Sequence, residues 1–280
     1  MQDFLAVRLA ARSPPTGLNG PRMNGGCMRF RVDLAADGSA LQWDDVFTPA
    51  RALAYDLIRG QDPELAEELH ERGYAGSSLR PLGISSPQFR GTRKSRGTYA
   101  TSADGSLWLG SPVPRVAAAL LAGIAGRQTL RWASLRLALR GVQLESTPDH
   151  KAGEALFSTR TPILVKWEDR YIHPDHPHFT ERLSHNLRHK ADLLGLPAGN
   201  DIEVISSGPP RKFLVQRVPR HGSTAEIRIR ADSTLLDAIY DWGLGLGTNP
   251  GPREDRSRLR SATRSIGPVV PSGRAPVETA

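Results

Sequence analysis

Residues 48–72, TPARALAYDLIRGQDPELAEELHER, decide how the rest of the chain is read. They carry two helix-start signals: Thr48 as N-cap with Pro49 at the first helical position, then Asp62 with Pro63. Leu53, Ala54, Leu57 and Ile58 recur at helical spacing, as do Leu65, Ala66 and Leu69, so each helix has one apolar stripe. Two antiparallel helices joined at Gly60–Asp62 place Tyr55 and His70 beside those stripes. A hydroxyl and an imidazole would then share one edge, within reach of one ligand. By residue type alone such side chains are most often half-buried, with their polar tips satisfied.

Upstream, MRFRVDLA from Met28 alternates as a half-buried strand does, with Phe30, Val32 and Leu34 inward and Arg29, Arg31 and Asp33 outward. Downstream, LRPLGISSPQ (79–88) reads as a second strand and FRGTRKSRG (89–97) as a loop. TYATSADGSLWLGSP (98–112) reads as a hairpin turning at Asp104–Gly105. VPRVAAALLAGIAG (113–126) is an amphipathic helix closed by Gly126, and TLRWASLRLALRGVQLES (129–146) supplies the last strand. The order is β-α(α)-β-β-α-β, a ferredoxin-like (RRM-like) arrangement. Strand-like 153–167 and 170–174, a helix over 177–196, strands at 201–207, 211–219 and 223–232, and a helix at 233–243 repeat it without residue-level similarity. The fold class expected is α+β, two tandem ferredoxin-like βαββαβ domains. The first covers 28–148 and carries the helix pair; the second covers 151–251 and ends in a Gly-rich loop.

Composition narrows the rest. The 280 residues are 39% hydrophobic, enough to bury two cores, and no stretch approaches the ~18 apolar residues of a membrane span. Cys27 is the single cysteine, which excludes an internal disulfide framework and fits a reducing cytoplasm. The first residues lack the basic start and apolar core of a signal peptide. The net charge is +8, but residues 1–27 hold +2 of it and residues 251–280 hold +3, so bulk charge is weak evidence for a nucleic-acid partner. Residues 1–27, dense in Gly, Pro and Asn, are expected to be a disordered leader upstream of a translation start at Met28; a genuine flexible tail is the other reading.

Three further constellations bear on function. DWGLGLGTNPG holds Gly243, Gly245, Gly247 and Gly251 after an apolar helix, and glycine lets backbone N–H groups approach a phosphate. It lacks the Gly-Lys-Ser/Thr of a Walker loop and closes a helix instead of opening one, so a plain helix cap is the alternative. His173, His176 and His178, with His185 and His189 four apart on the next helix, could hold a metal, but no HExxH or cysteine accompanies them. A metal-free, cofactor-free reading is preferred. Arg90, Arg93, Lys94 and Arg96, with Tyr99 as a stacking ring, would suit a phosphate backbone as well as a solvated hairpin connection.

Taken together, these stretches resemble the CRISPR repeat-RNA processing endoribonucleases of the RAMP superfamily. The likeness rests on MRFRVDL, the helical pair, VPRVAAALLAGI and DWGLGLGTNPG, and spans about 28–251. It implies cleavage of precursor CRISPR RNA within each repeat, without metal. The 2′-hydroxyl attacks the adjacent phosphate and leaves a 2′,3′-cyclic phosphate and a 5′-hydroxyl. By position, His70 matches the family's proton donor and Tyr55 its proton acceptor; imidazole suits an acid near neutrality, whereas a phenol of pKa about 10 is a poor base unless cations depress it. The RNA would lie between the domains and on Gly243, Gly245, Gly247 and Gly251, with Arg93, Lys94 and Arg96 adding contacts. Where many relatives carry a phosphate-stabilising lysine this chain has Gly76, so Arg72 or Arg80 is expected to substitute. Beyond Gly251 the family pattern of a closing strand is replaced by PREDRSRLRSATRSIGPVVPSGRAPVETA, expected to be a disordered or frame-altered tail (252–280) that would impair the enzyme. Partners implied are CRISPR repeat RNA and effector-complex subunits, with no membrane, in a monomer or homodimer. A non-cleaving RNA-binding effector subunit is the second reading, and a ferredoxin-like module for a protein partner the third.

Overall fold

Strand β1 (Arg29–Ala36) forms as its alternation dictates: Phe30, Val32 and Leu34 are buried, while Arg29, Arg31 and Asp33 line the opposite face. The computed structural model describes residues 28–92, 97–215 and 218–245; the expected leader and tail lie outside them. After β2 (Ala40–Gln42) come the helices α1 (Pro49–Arg59) and α2 (Pro63–Glu71), where the two prolines place them. Asp62 is a true cap, its carboxylate accepting from Leu65 N at 3.0 Å and from Arg115 at 2.7 and 3.0 Å. Thr48 is not: its backbone is already helical and its hydroxyl donates to Asp44 O at 2.6 Å.

Arg115 beside Asp62, and the Leu65 amide after it, hold the Asp62 carboxyl below its ordinary 3.8. Its contribution to stability is therefore present at neutral pH and lost on acidification below that value. Asp62→Ala should destabilise the protein by about 1 kcal/mol in denaturant melts at pH 7, and by less at pH 3.

The segment expected as one strand at 79–88 is two short ones, β3 (Gly83–Ile84) and β4 (Gln88–Phe89), because Pro87 lacks the amide a continuous ladder needs. The expected 98–112 hairpin does not form. Strand β5 (Thr98–Ala100) pairs with β2, whereas β6 (Gly105–Gly110) pairs with β1, β3 and β4. Helix α3 (Pro114–Ala125) follows, then β7 (Thr129–Trp132) and β8 (Leu135–Leu144). The sheet order β3-β6-β1-β8-β7 is the ferredoxin-like order with β7 added at the edge. Helices α1, α2 and α3 bury their stripes in one core with Phe30, Leu107 and Trp132. Gly123 is required where α3 crosses α1, since a Cβ there would collide with the Leu57 backbone.

The second unit opens with β9 (Glu154–Ser158), β10 (Val165–Trp167), β11 (Arg170–Ile172) and α4 (Phe179–Leu194). It continues with β12 (Asn200–Ser207), β13 (Arg211–Val215), β14 (Val218–Gly222), β15 (Ala225–Ala231) and α5 (Ser233–Trp242). Among the described residues its main sheet is β12-β15-β9, the ferredoxin-like order for three strands. Its own core gathers Phe179, Leu183 and Leu187 of α4 with Ile227, Ile229, Leu235 and Ile239. The chain is thus α+β, two ferredoxin-like units in tandem. Among the described residues no helix is long and apolar enough to cross a membrane.

Candidate active site

Tyr55 and His70 meet, but not as a hydroxyl and an imidazole sharing a ligand. Tyr55 is buried, and its hydroxyl donates to Leu69 O at 3.1 Å across the helix pair. Its ring meets the His70 ring edge-on, 5.4 Å between centroids. The sequence set Tyr55 beside the apolar stripe; the structure puts it inside the core, because α2 closes over it. His70 stays half open, with 53% of its side chain exposed, and its Nδ1 pairs with Glu71 Oε1 at 2.9 Å.

Neither arginine expected to steady a phosphate is presented for that task. Arg80 is buried, and its guanidinium donates to Leu69 O (2.6 Å), Ser78 O (2.9 Å) and His70 O (2.9 Å). It caps the end of α2, a favourable place for a cation at the negative end of the helix dipole. Arg72 is exposed beside Glu64, Glu67, Glu68 and Glu71, which offset its charge. Arg51, overlooked in the sequence, packs its guanidinium over the Tyr55 ring at 5.3 Å and lines a cleft between the two units.

That cleft is of about 230 Å³, and three of its lining residues, Arg29, Trp108 and Tyr240, converge on Glu145. The Glu145 carboxylate pairs with Arg29 (3.0 Å) and accepts from Trp108 Nε1 (2.6 Å) and Tyr240 Oη (3.2 Å), so it ties β1 and β6 to α5. The Arg160 guanidinium sits over the Trp108 ring, 3.8 Å from its centre, and burial together with neighbouring Arg29 lowers its pKa. Arg160 keeps an exposed face, and a guanidinium on an indole is a ready contact for a phosphate or a base. Asp241 is buried in the cleft wall, and burial pushes its carboxyl up to about 7 against the opposing pull of Arg29. No periodic pattern marks Arg160, which sits in the irregular segment between β9 and β10.

Of the Gly-rich run, Gly243 and Gly245 are described; Gly247 and Gly251 lie outside the described residues, as do Arg93, Lys94 and Arg96. Gly243 leaves α5 at φ 88°, a conformation glycine adopts readily. Lys190 of α4, buried, donates through Nζ to Gly243 O at 2.6 Å and Gly245 O at 3.3 Å, and lies 4.6 Å from the centre of the Trp242 ring. Tyr99 is not a free stacking ring: its hydroxyl donates to Pro87 O and it packs on Trp43 and Phe89. The histidines fall into two groups. His173 contacts Gly208 O, His178 stacks on Trp167 with the His176 ring 5.6 Å away, and His185 and His189 lie ring to ring at 4.3 Å.

Residues 145–251 match the family model for the CRISPR-associated protein Cas6, C-terminal. The second unit is therefore similar to a Cas6 C-terminal domain. The Cas6 match begins at the hub residue Glu145 and takes in Arg160, Lys190 and the Gly-rich run. Solved structures extend the likeness to both units. A Cas6-related protein from Pyrococcus furiosus aligns with TM-score 0.68 at 17% identity, over 81% of this chain and 97% of that one. A RAMP protein described as binding different RNA substrates gives 0.66 at 19%, over 80% and 97%. A further CRISPR-associated protein Cas6 gives 0.63 at 20%, over 80% and 96%. At these identities the shared property is the Cas6 fold. A comparison with curated proteins finds no match.

Proposed function

We propose that this protein binds CRISPR repeat RNA in the cytoplasm and cleaves it without a metal. The RNA runs along the cleft between the two units towards His70. The observation that carries this reading is the half-exposed His70 imidazole, held by the Tyr55 ring and Glu71 on a Cas6-type scaffold. In the reaction the 2′-oxygen bonds to the adjacent phosphorus, and the bond from phosphorus to the 5′-oxygen breaks. With Nδ1 turned to Glu71, His70 offers a proton from Nε2 to the departing 5′-oxygen. The 2′-hydroxyl proton leaves to water. Tyr55, its hydroxyl engaged at Leu69 O, serves by holding the imidazole instead of as the proton acceptor expected from sequence. Arg51 takes the phosphate-facing part that Arg72 and Arg80 do not fill. The products are a 2′,3′-cyclic phosphate and a 5′-hydroxyl.

The test is to incubate the full chain with its host's repeat RNA in EDTA and map both ends. One cut leaving a 5′-hydroxyl supports the reading. Tight, salt-dependent binding with no cut favours a non-cleaving effector subunit, and no binding favours a module for a protein partner.

A further inference from the structure

The end of α2 that carries His70 is held from the other unit. Trp242, buried at the last turn of α5, donates its indole N–H to Arg80 O at 2.9 Å. Arg80 in turn holds Leu69 O and His70 O with its guanidinium, and Leu69 O also receives the Tyr55 hydroxyl. On its far side Trp242 runs straight into Gly243, whose carbonyl Lys190 grips, with the ammonium over the indole. One unbroken set of contacts, buried or partly buried, therefore runs from the start of the Gly-rich run, through Trp242 and Arg80, to the backbone of His70.

We infer that Trp242 and Arg80 are positioning residues: the second unit sets where the His70 imidazole stands, so the site is incomplete without correct docking of α5. The geometry favours this over simple packing. An apolar contact would need no donor, yet the indole N–H is spent on the residue that caps α2. Arg80 reaches across the turn after α2 to the last carbonyls of that helix, groups with no partner inside the helix itself. A shift there moves the imidazole directly, and misplacement of about 1 Å near reacting groups costs up to ~100-fold in rate.

This inference rests on the cleavage reading for its rate effect, but its structural half can be read separately. Trp242→Phe removes the N–H and keeps most of the apolar bulk; Arg80→Lys keeps the charge but replaces the fork of separate nitrogens on Leu69 O, Ser78 O and His70 O with a single donor nitrogen. In the full-length protein, single-turnover cleavage at saturating RNA should fall about 10- to 100-fold in either variant, with RNA affinity and melting cooperativity retained. In parallel, ¹H–¹³C spectra of histidine-labelled protein should show the His70 ring signal, identified by its loss in His70→Gln, displaced in both variants. Its cross-relaxation to the Tyr55 ring should weaken, while the His185 signal stays in place. An unmoved His70 signal overturns the inference whatever the cleavage result, and so does a displaced signal with wild-type rate. A displaced signal in a protein that cuts no RNA keeps the link between the units and removes the cleavage reading. If Trp242→Phe fails to fold, Arg80→Lys decides alone.

Discussion

Replacing His70 with alanine should abolish cleavage while leaving the protein folded and RNA-bound. General acid catalysis is worth about 10²–10⁴-fold, so the single-turnover rate should drop by that factor. Stability should move little. The imidazole is half exposed, lies outside the core cluster, and surface changes of this kind stay within about 0.5 kcal/mol. RNA affinity should also hold, because the cleft cations Arg29, Arg51 and Arg160 are untouched. That split between rate and affinity distinguishes an acid from a binding contact. His70→Ala protein that cuts the repeat at the wild-type rate would remove His70 from the chemistry.

How much of this was legible in the sequence depends on whether a residue's role is local. The helix pair was, because Pro49, Asp62–Pro63 and the two stripes act within a few residues of themselves. Strand β1 was readable for the same reason, its period of two matching its burial. The expected 98–112 hairpin misled because an Asp-Gly turn signal says nothing about which strand lies alongside. Leu41 and Tyr99 pair across the first unit instead, and β6 is claimed by β1. Tyr55 was placed at the edge of its helix because its burial comes from α2 closing over it, a fact of tertiary packing. The arginines show the gap most sharply. Thirty-two arginines give the sequence no means to separate Arg80, spent on carbonyls, from Arg160, spread over an indole, or Arg51, lining the cleft. Their roles are set by packing between elements: Arg160 meets Trp108 of β6, and Arg80 turns back onto the end of α2.

Lys190 leads to the second large effect, and its sign can be worked out. Burial pushes its ammonium from an ordinary 10.5 down to about 7. Between those values the unfolded chain holds a proton that the folded protein has released. Stability must then rise with pH across that window, by up to about 1.4 kcal/mol per pH unit from this group. Below pH 7 both states are protonated and the full cost of burying the charge is present. The latch itself need not open as the proton leaves, since a neutral amine keeps two N–H donors for the carbonyls of Gly243 and Gly245. Lys190→Met should erase the slope. Its urea midpoints should stay flat between pH 7 and 9 where the wild type climbs. The substitution also leaves both carbonyls without their donor, at about 1–3 kcal/mol for a buried group, so the variant should be the less stable protein at pH 9. At pH 6, where the buried charge counts against the wild type, the two curves should draw together. Parallel curves for wild type and Lys190→Met would mean that Lys190 stays charged throughout, with the two carbonyls and the face of Trp242 outweighing burial.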